Sequence, residues 1–139
     1  MRYLTKKRLA ALTVGALVAL ASWAPARAHT ARPVADSVCD IPWTKSTYQL
    51  KRLIKCAAHR WRVPGGANKA LRVARCESGF DPDAKGGGNG GVYQQRLVYW
   101  PGRAKHYGFK GWSVYNGRAN VIVSIRMAHA GGWSPWSCA

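Results

Sequence analysis

Acidic side chains are scarce in this sequence: five Asp and Glu stand against 22 Lys and Arg, a formal charge of +17 at neutral pH. Such an imbalance draws anionic polymers to the surface, whether nucleic acid, anionic lipid or charged wall polymer, without selecting among them. Other absences exclude more. No Cys-x-x-Cys pair occurs, and His29, His59, His106 and His129 lie far apart, which argues against a structural zinc site. The Gly-x-x-x-x-Gly-Lys-Ser/Thr pattern is missing, so the glycine-rich stretch at 86–91 is not a phosphate loop of that kind. Strand-like alternation is rare, and there is no internal repeat and no separate wall-binding domain.

What is present begins with an export pattern. Arg2, Lys6, Lys7 and Arg8 precede an uncharged apolar stretch at 9–22, and Ala26-Arg27-Ala28 has the small-x-small form of a cleavage site. The rival reading, an uncleaved anchor, is weakened by Thr13, Gly15, Ser22 and Pro25. No cysteine follows until Cys39, which argues against lipid attachment. Residues 1–28 therefore read as a signal peptide and the product as secreted and associated with the cell wall. Removing Arg2, Lys6, Lys7, Arg8 and Arg27 takes the formal charge from +17 to +12. Export makes wall polymers and membranes likelier encounters than an intracellular nucleic acid, and no specific nucleic-acid partner is expected. The remaining chain suits one domain. Cys39, Cys56, Cys76 and Cys138 form an even set, so an exported chain should hold two disulfides, with three pairings formally open.

Helical periodicity dominates the rest, and the fold class expected is all-α, with room for a small β-hairpin. Residues 29–45 read as an irregular lead-in, and 46–139 as the domain proper. Leu50, Leu53, Ile54, Ala57 and Trp61 recur at helical spacing, opposite the solvated basic face of Lys51, Arg52, Lys55, His59 and Arg62. Ser46 or Thr47 can cap this helix, and Pro64-Gly65-Gly66 ends it. A second helix is predicted from Asn68, as N-cap, to Glu77, with Gly79 as its stop. The glycines at 86–91 suggest a mobile or tightly turning cleft wall. Residues 92–100 read as a short helix stopped by Pro101, and 102–115 as mostly loop. Residues 119–130 are apolar nearly all round and should form a central buried helix.

Glu77 is the one glutamate in the chain. At about 100° per residue from Lys69, it falls at about 80°, between Val73 at about 40° and Ala74 at about 140°. Lys69, Arg72 and Arg75 turn largely away. A carboxyl at the end of a buried stripe has a raised pKa, which general-acid catalysis near neutral pH requires. The competing reading is an exposed helix-end glutamate paired with an arginine.

The segments around Glu77 carry a family resemblance. Ala74-Arg75-Cys76-Glu77-Ser78-Gly79-Phe80-Asp81-Pro82-Asp83-Ala84 resembles the catalytic signature of soluble lytic transglycosylases and goose-type lysozymes. Gly91-Val92-Tyr93-Gln94-Gln95 resembles the Gly-Leu-Phe/Met-Gln segment lining their cleft. The ending Gly131-Gly132-Trp133-Ser134-Pro135-Trp136-Ser137-Cys138 is similar to that of small actinobacterial members and of resuscitation-promoting factors. The resemblance spans 46–138 and implies a lysozyme-like domain acting on peptidoglycan. It implies that Glu77 protonates the bond between N-acetylmuramic acid and N-acetylglucosamine. Glu77 then deprotonates the muramyl 6-hydroxyl, closing a 1,6-anhydro ring. Ser78, Tyr93 and Gln94 fall at positions beside the substrate, Ser78 more as a structural cap than a participant. The small relatives imply the pairing Cys76–Cys138, which leaves Cys39–Cys56. No metal and no cofactor are implied, and the protein is expected to act as a monomer on glycan strands, with anionic wall polymers meeting its basic surface.

Several residues have competing roles. Asp81 reads as the Asx of an Asx-Pro turn; as a water-holding carboxylate it would instead make the protein a hydrolase. Among the tryptophans, Trp112 is expected as a sugar platform, while Trp133 and Trp136 clamp the C-terminus. The late Ala-Tyr-Asn segment of larger transglycosylases has no counterpart after Ile125. The alternatives are therefore a hydrolytic muramidase resembling resuscitation-promoting factors, or a non-catalytic cationic wall-binding protein.

Overall fold

The computed structural model describes residues 38–139; the expected signal peptide and most of the lead-in lie outside them. A single 3-10 turn, Trp43–Lys45, precedes helix α1 (Thr47–Arg60). Then come α2 (Gly66–Ser78), strands β1 (Lys85–Gly86), β2 (Asn89–Gly90) and β3 (Gln95–Arg96), and helices α3 (Trp100–His106) and α4 (Gly117–Gly131). The architecture is mainly helical with one small antiparallel sheet in the order β1-β2-β3. No helix among the described residues is long and apolar enough to cross a membrane.

Local chemistry accounts for most boundaries. The Ser46 side chain accepts a hydrogen bond from the Gln49 N–H, capping α1. Helix α2 starts at Gly66, ahead of the Asn68 cap expected, because Gly65 and Gly66 already turn the chain into the helix. It ends where the Gly79 N–H bonds the Arg75 carbonyl. Between β1 and β2 only Gly87 and Gly88 remain, with φ of 55° and 78°, the two-residue hairpin turn that demands left-handed backbone.

The short helix expected at 92–100 is not there. Its residues form a turn and β3, and the helix begins where it was expected to end. Pro101 sits in the first turn of α3, where its missing N–H has no helical partner to lose. Helix α3 also takes in residues 102–106, where a loop is expected from the sequence.

Helix α4 is buried along most of its length, from Gly117 to Ile125 and at Ala128. It lies between two apolar clusters. One joins Leu53, Ile54 and Ala57 of α1, Val73 and Ala74 of α2, and Val121 and Ile125 of α4 with Val92, Tyr93, Trp133 and Trp136. The other packs Trp100, Ala104, Phe109 and Val114 on Ala119, Ile122 and Val123. A helix flanked on both sides must be apolar on both sides, which explains its weak amphipathicity.

Two disulfides lock this core, Cys39–Cys56 and Cys76–Cys138. The first ties the lead-in to α1, and the second ties the end of α2 to the chain end. They are compatible with an extracellular setting. The Cys76–Cys138 bond closes the longer loop, a separation of 62 residues against 17. Chain entropy assigns it about 4 kcal/mol, against about 3 kcal/mol for Cys39–Cys56. Urea unfolding of the paired serine variants should therefore show the larger loss for Cys76→Ser/Cys138→Ser. A larger loss from the other pair would show that native-state contacts outweigh loop closure.

Candidate functional site

The last turn of α2 brings Glu77 to an open cleft of about 330 Å³. Asn89 of β2, Gln95 and Arg96 of β3, and Gln94 between the strands line one part of it. Tyr99 and Arg103, Met127 of α4, and the stretch Pro135-Trp136-Ser137 complete the wall. Glu77 is the one carboxylic acid on this lining, amid amides, aromatic rings and guanidiniums.

The Glu77 carboxyl is half-buried, and its Oε1 is buried with no hydrogen-bond partner among the described residues. Water-poor surroundings disfavour the charged form, so burial pushes the pKa above the ordinary glutamate range. The backbone N–H of Cys138 acts in the opposite direction, more weakly. Arg96 and Arg103 line the same cleft, yet among the described residues no ion pair joins either to Glu77; the expectation of an arginine-paired, exposed glutamate is not met. In its protonated form such a carboxyl is a hydrogen-bond donor.

Beneath the cleft a polar peg fixes the loop that carries its amides. Asn120 of α4, fully buried, accepts the Tyr93 N–H at 2.9 Å and donates to the carbonyls of Gly90 at 3.1 Å and Val114 at 2.9 Å. Gly91, at φ 78°, passes so close that a Cβ there would lie 2.4 Å from Asn120 Nδ2. Gln94 adopts φ 45° and donates through Nε2 to Ala84 O at 3.1 Å and Gly91 O at 3.0 Å. Among the described residues its Oε1 has no donor, which leaves it available as an acceptor on the cleft lining.

The expected site residues separate into two groups. Glu77 and Gln94 come together on one cleft. Tyr93 does not join them: its ring is fully buried, stacks on Trp133 at 6.0 Å between centroids, and donates its hydroxyl to Ala70 O at 3.0 Å. The Gly-x-Tyr-Gln turn points Tyr93 into the core and only its successor outward, and burial pushes the phenol pKa up. Ser78 is structural, donating to Val92 O at 2.8 Å, with Ala74 O at 3.3 Å as a second acceptor. Trp112 packs edge-on against Phe109, in the cluster around α3, and is not on the cleft. Asp81 accepts the Asp83 N–H at 2.8 Å, as an Asx turn requires, and stays off the cleft.

Trp133 and Trp136 clamp the C-terminal segment, their indole N–H groups donating to Pro64 O at 2.7 Å and Tyr93 O at 2.9 Å. Trp136 also lines the cleft. Sequence reasoning missed Asn89, Gln95, Arg96, Tyr99 and Arg103. The available signal was the run Leu97-Val98-Tyr99, which is solvent-exposed despite its apolar character, next to the Gln94-Gln95 pair. No protein family, curated protein or solved structure matches this chain.

The raised pKa has a thermodynamic consequence. Folding makes Glu77 hold its proton more tightly, so stability is greatest while the carboxyl is protonated in both states. It declines as pH rises from the unfolded-state pKa to the folded-state one. Glu77→Gln lacks this titration. The stability of the variant relative to wild type should increase with pH across that interval and level off above it, as read by urea unfolding at stepped pH. A constant difference across the interval would mean that the carboxyl is not desolvated.

Proposed function

We propose that this protein is a secreted peptidoglycan-cleaving enzyme with a lysozyme-like domain. It acts as a lytic transglycosylase on the β-1,4 bond between N-acetylmuramic acid and N-acetylglucosamine. The observation that carries this reading is a lone, half-buried carboxylic acid on a cleft lined mainly by amides, aromatic rings and guanidiniums. Amides suit acetamido and hydroxyl groups, and Tyr99, 58% exposed, offers a ring face to a sugar. The likeness of the Cys76-Glu77-Ser78-Gly79 and Gly91-to-Gln95 segments to the transglycosylase signatures, and the Cys76–Cys138 bond that likeness implies, support the same reading.

One carboxyl suffices for such a reaction. Glu77 gives its proton to the glycosidic oxygen, and the bond from that oxygen to the muramyl C1 breaks. The substrate's 2-acetamido oxygen shields the cationic carbon. Glu77, now a carboxylate, takes the proton of the muramyl 6-hydroxyl as its oxygen bonds to C1. The glutamate ends as it began, and no water is consumed. Ordinary glycosidases divide these roles between two carboxylates. Asp81, the nearest alternative in sequence, is committed to its turn and is absent from the cleft lining.

Digestion of purified peptidoglycan followed by mass spectrometry tests the reading. Wild type should release muropeptides ending in a 1,6-anhydro ring, one water lighter than reducing ends. Glu77→Gln should lose at least about a hundredfold in rate, the low end for removing a general acid, with the fold unchanged by circular dichroism. Reducing ends would identify a hydrolytic muramidase, wild type that binds the wall without cutting it would be a non-catalytic cationic protein, and full cleavage by Glu77→Gln would refute the mechanism.

A further inference from the structure

The reading of the cleft as a glycan site leaves its two guanidiniums without a role. Arg103 is half-buried on the cleft wall and fixed rather than free. Its Nη1 donates to Gln95 Oε1 at 2.7 Å, and Gln95 Nε2 donates in turn to Ser124 Oγ of α4 at 2.7 Å. Gln95 is 1% exposed and Ser124 fully buried, so this relay anchors the guanidinium to the central helix. The Tyr99 ring lies 5.2 Å from the guanidinium carbon, bracing a second side. A guanidinium carries five N–H donors, and among the described residues Gln95 is the acceptor they meet. Arg96, exposed on β3, lines the same wall, and its guanidinium makes no hydrogen bond to another described residue. Among the described residues neither has a carboxylate partner.

A pre-oriented planar fork beside a second cation, with no ion pair to either among the described residues, is built to receive a carboxylate. We propose that Arg103 and Arg96 form a carboxylate-recognising subsite that makes the cleft selective for acid-bearing glycans. This rests on the proposed glycan-cleaving function and adds the charge of the substrate to it. An N-acetylmuramyl glycan offers carboxylates from two sources. One is the lactyl ether when its carboxyl is free, and the other is the stem peptide when one is attached. Both present the same planar anion. Arg103 and Arg96 are specificity residues in this account, and Glu77 alone handles the proton.

Calorimetry on the Glu77→Gln protein separates binding from cleavage. Three glycans of alternating N-acetylglucosamine and N-acetylmuramic acid serve as probes: peptide-free with free lactyl carboxylates, the same glycan with those carboxyls converted to primary amides, and the peptide-bearing form. At least one carboxylate form should bind about tenfold or more tightly than the amide, as expected for a charge-assisted pair. Preference for the peptide-free form assigns the lactyl group, and preference for the peptide-bearing form alone assigns the stem. Adding Arg103→Gln should remove the preference. Arg96→Gln, at an exposed position, should reduce it with no disturbance of the Gln95–Ser124 relay. Equal affinity for all three glycans, or a preference unchanged in both arginine variants, would overturn the proposal. If wild type still cuts peptidoglycan in that case, only the carboxylate subsite is lost. If it binds and cuts none of these glycans, the functional reading falls with it.

Discussion

The covalent tie between Cys76 and Cys138 holds the last residues of the chain against the final turn of α2, and the environment of Glu77 is built on that contact. Through it Trp136 and Ser137 become cleft wall, and the Cys138 N–H faces the carboxyl. The segment is secured a second time by the indole bonds of Trp133 to Pro64 and of Trp136 to Tyr93. Removing water from one carboxyl therefore requires residues about sixty positions apart to close on each other. A surface helix end could not keep an acid protonated by itself, because solvent would restore the ordinary pKa.

The second constraint is the buried polar peg of Asn120. Three hydrogen bonds from one side chain hold the backbone at Gly90, Tyr93 and Val114 to the central helix. The loop that carries Gln94 and Gln95 is thus pinned by its backbone, leaving its amide side chains for the cleft and for Arg103. Gly91 is required for this approach, since any side chain there would collide with Asn120 and the Val114 carbonyl. Rigid placement of the amides and a partnerless acid oxygen on the facing helix end are complementary features of one cleft.

Much of this was legible in the sequence, for identifiable reasons. The apolar spacing of Leu50, Leu53, Ile54 and Ala57 specifies α1, and Val121-Ile122-Val123 with Ile125 specifies a helix enclosed on both sides. The half-burial of Glu77 was legible in a helical phase that sets it among Val73 and Ala74, a purely local property, while its proposed role rested on family resemblance. The disulfide pairing rested on family resemblance. Residues 92–101 misled because a proline marks either end of a helix. Whether Pro101 stops one or starts one depends on the strand pairing of Gln95 and Arg96 with the hairpin, which is non-local. Tyr93 and Gln94 are neighbours with opposite fates, decided by a turn whose backbone no periodicity announces. The positions of Arg103 and Tyr99 in the cleft follow from the docking of α3 on α4, again beyond reach of local pattern.

Because Glu77 is the one glutamate in the chain, selective carbon-13 labelling of glutamate yields a single side-chain carboxyl resonance whose titration reports this site alone. Desolvation by the C-terminal segment predicts a midpoint clearly above the value of about 4.3 for a free glutamate. Reduction of the Cys76–Cys138 bond should bring it back toward that value. A midpoint at or below the free value in the oxidised protein would contradict the account, since the cleft would then hold a carboxylate with no proton to give.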